Sequence, residues 1–105
     1  MMKGQLGNLM QQAQKLQEKM QTAQQELQEV EAQGEAGAGM VTVTMSGTHE
    51  IKRIKIDDQL MDDREMLEDL VTAAVNDAVQ RVQKLSKDKM SEAAGGLPLP
   101  PGLFG

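Results

Sequence analysis

The sequence has no cysteine, no tryptophan and no tyrosine, and Phe104 is its one aromatic residue. The first absence rules out disulfides, zinc–thiolate sites and thiol chemistry. The others mean that a core must be assembled from Leu, Ile, Val, Met and Ala, without the side chains that bury most surface. At 105 residues the chain supports one domain, and so lean a core leads us to expect completion by self-association. Nor is there an apolar run near the roughly 18–20 residues that span a bilayer, and no N-terminal stretch reads as a signal peptide. A cytosolic location is the resulting expectation. The lone histidine, His49, has no second histidine with which to share a metal and no nucleophile motif beside it. "GEAGAG" lacks both the lysine and the preceding strand of a phosphate-binding loop. With no paired acid and base, no activated nucleophile and no cofactor loop, the chain does not read as an enzyme, and neither a cofactor nor a metal is expected.

Charge is present but unevenly spread. The net value is −5, yet "DDQLMDDREMLED", residues 57–69, alone holds seven carboxylates against one arginine. An acidic total weighs against indiscriminate nucleic-acid binding; the near-neutral remainder, with its small basic clusters, leaves room for a polyanionic partner. The acidic run lacks the central glycine and closing glutamate of a calcium loop, and capping at a helix N-terminus accounts for most of it.

What the sequence has in abundance is periodicity. Leu6, Leu9, Ala13, Leu16, Met20, Ala23, Leu27 and Val30 recur at alternating steps of three and four. This heptad seam predicts a helix from about Gly4 to Gln33, flanked mostly by glutamine. Gly34, Gly37 and Gly39 end it, and the glycine-rich stretch leaves space for a short first strand that composition alone does not show. "MVTVTMS" alternates, with Val41, Val43 and Met45 on one face. After a turn at Gly47, "IKRIKID" returns with Ile54 and Ile56 toward the core and Arg53 and Lys55 away. Ile51 is out of phase, which requires a bulge or burial on both faces.

A second helix starts near Asp62, with Asp62 and Glu65 as a capping box and Met61 against Met66 as a staple. It buries Leu67, Leu70, Val71, Ala74, Val75, Ala78, Val82 and Leu85. From about residue 92 the chain becomes a Gly- and Pro-rich tail. The expected architecture is α+β: a two-layer α-β-β-β-α order, with a short three-stranded antiparallel sheet and two long antiparallel helices. Each helix of about 28–30 residues is roughly 42–45 Å long, against about 25 Å for the strands. Side by side, free end to free end, the helices form an arm beyond the sheet, the seam of the first packing on the second. Pairing of the seam with a second copy is the alternative.

The ordered set "LGNLMQQAQKLQEKM", "GEAGAGMVTVTMSGTHEIKRIKID", "LEDLVTAAVNDAVQRV" and "GGLPLPPGLFG" resembles the YbaB/EbfC family of bacterial nucleoid-associated proteins over essentially the full chain. The resemblance implies a helix–three-strand–helix fold, a tweezers-shaped homodimer, and binding of double-stranded DNA that alters its conformation. It further implies a place on the nucleoid, with roles in nucleoid organisation, DNA protection and gene expression, and DNA contact through protruding helical arms. The antiparallel arrangement of the helices brings Lys3, Lys15 and Lys19 of the first to the same end as Arg81, Lys84 and Lys87 of the second, and the resemblance makes that arm tip the expected DNA contact. Lys52, Arg53 and Lys55 form a secondary contact. From the residues alone, the first set is a solvated helix face with dipole compensation, and the second is a sheet edge guarded by charge. Gln11, Gln12 and Gln14 are suited to bond phosphates without adding repulsion. The scarcity of aromatics argues against a single-strand binder that stacks bases. Neither a membrane nor a small-molecule substrate is expected. The competing function is a protein–protein adaptor that uses the heptad helix and has no intrinsic DNA binding.

Overall fold

The computed structural model of the protein describes residues 2–95, with side chains from Gly4 onward. Helix α1 spans Met2–Glu29, strands β1, β2 and β3 span Glu31–Ala36, Val41–Ser46 and Ile51–Ile56, a 3₁₀ turn covers Asp58–Asp62, and helix α2 spans Arg64–Ala93. The sheet is antiparallel in the order β1-β2-β3, so the expected α+β order is the observed one. Helix α2 runs into the segment expected to be tail; residues 96–105 of that tail lie outside the described residues.

The core forms where β2 meets α2. Val41, Val43 and Met45 alternate onto one face, as their spacing predicts, and are buried with Ala74, Ala78 and Val82 of α2 and Leu60 of the 3₁₀ turn. Their neighbour Gly34 on β1 makes this packing close. A Cβ there would lie 2.3 Å from the Ala78 nitrogen and 2.5 Å from the Ala74 oxygen, so strand and helix backbones touch. Small residues on both sides permit the approach, which compensates for the missing aromatics by bringing the layers together.

The hairpins explain two irregularities. Met45 pairs with Ile51 and Thr44 with Arg53, which leaves Lys52 as the extra residue of a bulge. The bulge brings Ile51 into phase with Ile54 and Ile56, across from Met45, Val43 and Val41. Between β2 and β3 the chain turns through His49 at φ 67°, the left-handed position that follows a type I turn in three-residue loops. The buried Ser46 hydroxyl accepts the N–H groups of Thr48 and Glu50 at 3.3 and 3.2 Å. A buried oxygen is thereby satisfied and the turn is fixed.

Two boundaries differ from the sequence reading. Helix α1 stops at Glu29 because Glu31–Ala36 pairs with β2; long-range pairing overrides the helix propensity of Glu and Gln. Helix α2 is capped by Asp63, which accepts the Met66 N–H at 3.2 Å. Asp62 ends the 3₁₀ turn instead, and Met61 and Met66 stay exposed, so no staple closes over the helix start.

Helix α1 and β1 follow one another along a single line, antiparallel to α2. Glu26 of α1 meets Lys89 at 2.7 Å, while Gly34 of β1 lies against Ala74 and Ala78. The junction is held by the hairpin turn: Gly47 donates its N–H to Val30 at 3.0 Å, and a Cβ on Gly47 would sit 2.4 Å from the Leu27 oxygen. The molecule is therefore long, 75 × 23 × 15 Å, with a radius of gyration of 19.6 Å, where a compact chain of this size has about 13 Å.

The two margins of the sheet are treated differently. On β1 the Glu35 N–H donates to the Asp77 carboxylate of α2 at 2.9 Å, and Arg81 Nε donates to the same oxygen at 3.0 Å. No element of the described residues lies beside the outer edge of β3. The Glu35 amide, and then Arg81, hold the Asp77 carboxyl below its ordinary value of 3.8. A lowered carboxyl contributes stability that is fully present above the unfolded value and is lost as pH falls through the folded one. Asp77→Asn should therefore destabilise the protein by a constant amount at neutral pH, and the gap to wild type should close below pH 3.8. Urea unfolding followed by circular dichroism at pH 7 and pH 3 measures it; a gap that stays constant into acid refutes the linkage.

Candidate nucleic-acid interface

The arm is the part of the molecule beyond the sheet, and its composition follows from how α2 is used. The first half of α2 covers β1 and β2, so only its last three turns, Val82 to Ala93, remain alongside α1. These extend about 18 Å, against about 42 Å for α1. Among the described residues the seam is accordingly covered over its C-terminal part alone. Ala23 and Leu27 are buried, whereas Leu6, Leu9 and Met10 are 61, 62 and 61% exposed. The expectation of two helices meeting free end to free end is not met, because half of one is spent on the sheet.

The basic residues expected to share a tip are thus distributed along the arm. Lys15 and Lys19, one turn apart on α1, line a groove of about 460 Å³ between the helices, together with Lys89 and the carboxylate-bearing Glu18, Glu26 and Glu92. The groove is balanced in charge. Lys84 and Lys87 are exposed and, by the helical period, occupy the side of α2 turned away from Val82 and Lys89. Counting from the Glu26–Lys89 contact, Lys15 and Lys84 are separated by about 24 Å along the axis. Arg81 sits over the sheet, engaged by Asp77 at 3.0 Å. The Lys3 side chain lies outside the described residues.

On β3, Arg53 and Lys55 pair across from Thr44 and Thr42 and belong to the helix-free face, while Lys52 at the bulge reaches Glu50 at 3.5 Å. These three are a separate group on the body. Lys89, omitted from the expected site, is among the described residues the one lysine whose ion pair ties the two helices together. Its heptad offset from Val82 was the available signal.

Among the described residues, Lys15, Lys19, Lys84 and Lys87 enter none of the ion pairs. The seven carboxylates of residues 57–69 sit at the opposite pole. There Asp57 accepts the Gln59 N–H at 2.9 Å to cap the 3₁₀ turn and Asp63 caps α2. Residues 81–95 carry four cationic side chains against two carboxylates. Charge is therefore polarised along the 75 Å axis. No helix of the described residues is long and apolar enough to cross a membrane.

Comparison with known proteins agrees with this architecture. A crystal structure of an uncharacterized protein, HP0035 from Helicobacter pylori, is similar at a TM-score of 0.67 and 26% identity, covering 81% of this chain and 88% of that one. The sequence model of a DNA-binding family, YbaB/EbfC, matches residues 2–97. Since that match spans both helices, the whole sheet and the arm, the chain belongs to the YbaB/EbfC DNA-binding family.

Proposed function

We propose that the protein is a homodimeric, nucleoid-associated protein whose arms lie against the backbone of duplex DNA and change its conformation. The observation that carries the reading is the polarity of charge along the molecule. Phosphates repel the pole holding Asp57, Asp58, Asp62 and Asp63 and admit the arm, where Lys15, Lys19, Lys84 and Lys87 are free of ion pairs among the described residues. Cations spread along a rod suit a partner whose charge is also spread along a rod, and neutral glutamines between them add amide contacts without repulsion. Selectivity then rests on backbone geometry and deformability.

Two arms require two copies. In support, Ile51, Ile54 and Ile56 of the edge strand are 43, 41 and 39% exposed, an apolar row that pairing of two bodies would cover. Nucleoid organisation, DNA protection and effects on gene expression follow from bending or bridging the bound duplex.

Titrating a labelled duplex with protein at increasing salt, beside light scattering, tests the reading. The log–log salt slope should be about −3.6 if one arm of four lysines engages, or about −7 if both do. The scattering mass should be twice 11.5 kDa. An affinity indifferent to salt, or a mass of one chain, sinks it. Failure to bind duplex, with capture of a protein partner, would return the adaptor reading.

A further inference from the structure

We infer that the N-terminal half of α1 pairs with the same half of a second copy, the two running antiparallel with Leu6 against the partner's Leu16 and Leu9 against the partner's Ala13. The seam continues past the end of α2. Leu27 and Ala23 are buried, Leu16 is 39% exposed, and Leu6 and Leu9 are exposed by more than half. Steps of three and four persist throughout, which is the spacing for one helix packed along another. Helix α2 stops beside Leu16, where Ala93 to Gly95 border a hollow of about 220 Å³ that Gln12 and Lys19 also line. A helix laid on the outer half of the seam takes up the line of α2 at that hollow. Running antiparallel to α1, it presents its N-terminus to the C-terminus of α2, the favourable head-to-tail order of helix dipoles.

Charge selects a second copy over a foreign helix. In a two-fold antiparallel pair the residues flanking the centre of the seam meet their own copies, so a charged side chain there would meet its like. With Leu6 and Ala13 at heptad position a and Leu9 and Leu16 at d, the central flanking residues are Met10 and Gln12, both uncharged. Farther out Gln5 falls beside the partner's Lys19, again without repulsion. The opposite charges that would choose a different partner are missing from this flank. Overlap of the two half-helices over about 22 Å gives an interface on the order of 1,000 Å², the small end of the specific range. The contact is therefore reversible between free molecules and firmer where arms are held close together. On the proposed function, dimers closed through their sheets are joined through their arms, and a duplex that gathers the arms favours the joining.

The absence of cysteine makes the test direct. Full-length Leu9→Cys and Ala13→Cys chains are mixed and mildly oxidised, beside each chain alone and beside Gln11→Cys, which lies on the opposite face of α1. A disulfide needs Cβ atoms about 3.5–4.5 Å apart, and a two-chain product several-fold more abundant in the mixture than from any chain alone is the expected result. Linking of Leu9→Cys alone to the same extent overturns the antiparallel arrangement, and linking no greater than that of Gln11→Cys overturns the pairing. Since both leucines are exposed, Leu6→Asp with Leu9→Asp should keep the circular dichroism of wild type while lowering the light-scattering mass reached at high concentration. Equal masses for the variant and wild type also overturn the proposal. Both measurements are made without duplex, so their failure and a failure of DNA binding are told apart.

Discussion

Gly34→Val is expected to destabilise the fold by about 3 kcal/mol or more, at or above the upper range of overpacking substitutions. The added Cβ would meet the Ala78 nitrogen at 2.3 Å, the Ala74 oxygen at 2.5 Å and the Ala78 Cα at 2.7 Å. All three are backbone atoms of a continuous helix, so no rotamer change relieves the contact; α2 must lift from β1. Lifting α2 also parts Ala74, Ala78 and Val82 from Val41 and Val43, the centre of the core. Among the described residues no aromatic side chain can make good that loss. Urea unfolding followed by far-ultraviolet circular dichroism measures the effect. Gly7→Ala is the control: nothing lies within 4 Å of its added Cβ, and alanine in a helix interior is favoured over glycine by roughly 0.5–1 kcal/mol. A Gly34→Val protein within about 0.5 kcal/mol of wild type, the usual range for surface changes, would contradict the backbone contact.

The second large effect concerns DNA. Lys84→Glu with Lys87→Glu should weaken duplex binding about a hundredfold, at about 1.4 kcal/mol for each reversed charge. The salt slope should become shallower by about 2. Both lysines are exposed and enter no ion pair among the described residues, so on the proposed reading reversal would remove two phosphate contacts and add two repulsions at little structural cost. Both lie more than a turn before the C-terminus of α2, where the helix dipole adds little, and an unfolding curve separates any loss of stability from the binding effect. Arg81, already held by Asp77 at 3.0 Å, should matter less than either lysine. The pair Lys52→Glu and Lys55→Glu asks the same of the sheet. If the α2 variant binds as tightly as wild type while the β3 variant does not, contact belongs to the body and the arm model is wrong.

Much of the fold was legible because it is periodic. The alternation of Val41, Val43 and Met45, the stripe on α2 and the phase slip at Ile51 each translate directly into a face, a burial pattern and a bulge. β1 was hardly legible, for a physical reason. "EAQGEA" has alanine as its only apolar residue type, and what makes it a strand is Gly34 admitting α2, a contact across 40 residues of sequence. The arm was half legible. Spacing identifies a seam but not how much of its partner is already committed elsewhere. Once the sheet takes Leu70 to Ala78 of α2, the two helices are staggered, and Lys15 cannot reach the level of Lys84. Candidate cations were readable as residues; their distribution along a rod was a matter of register.

The unequal margins of the sheet bear on how copies add together. A carboxylate hangs over β1, where an incoming strand would meet Asp77 already holding the Glu35 amide; the opposite margin, bordered by isoleucine, has no such obstacle among the described residues. A ribbon receptive on one side alone can be extended once. On the proposed pairing, two molecules joined there by a two-fold axis would fill each other's open margin, so growth would be finite and closed. Pairing of that kind would let the protein present apolar strand surface without risking the open-ended stacking of a fibre.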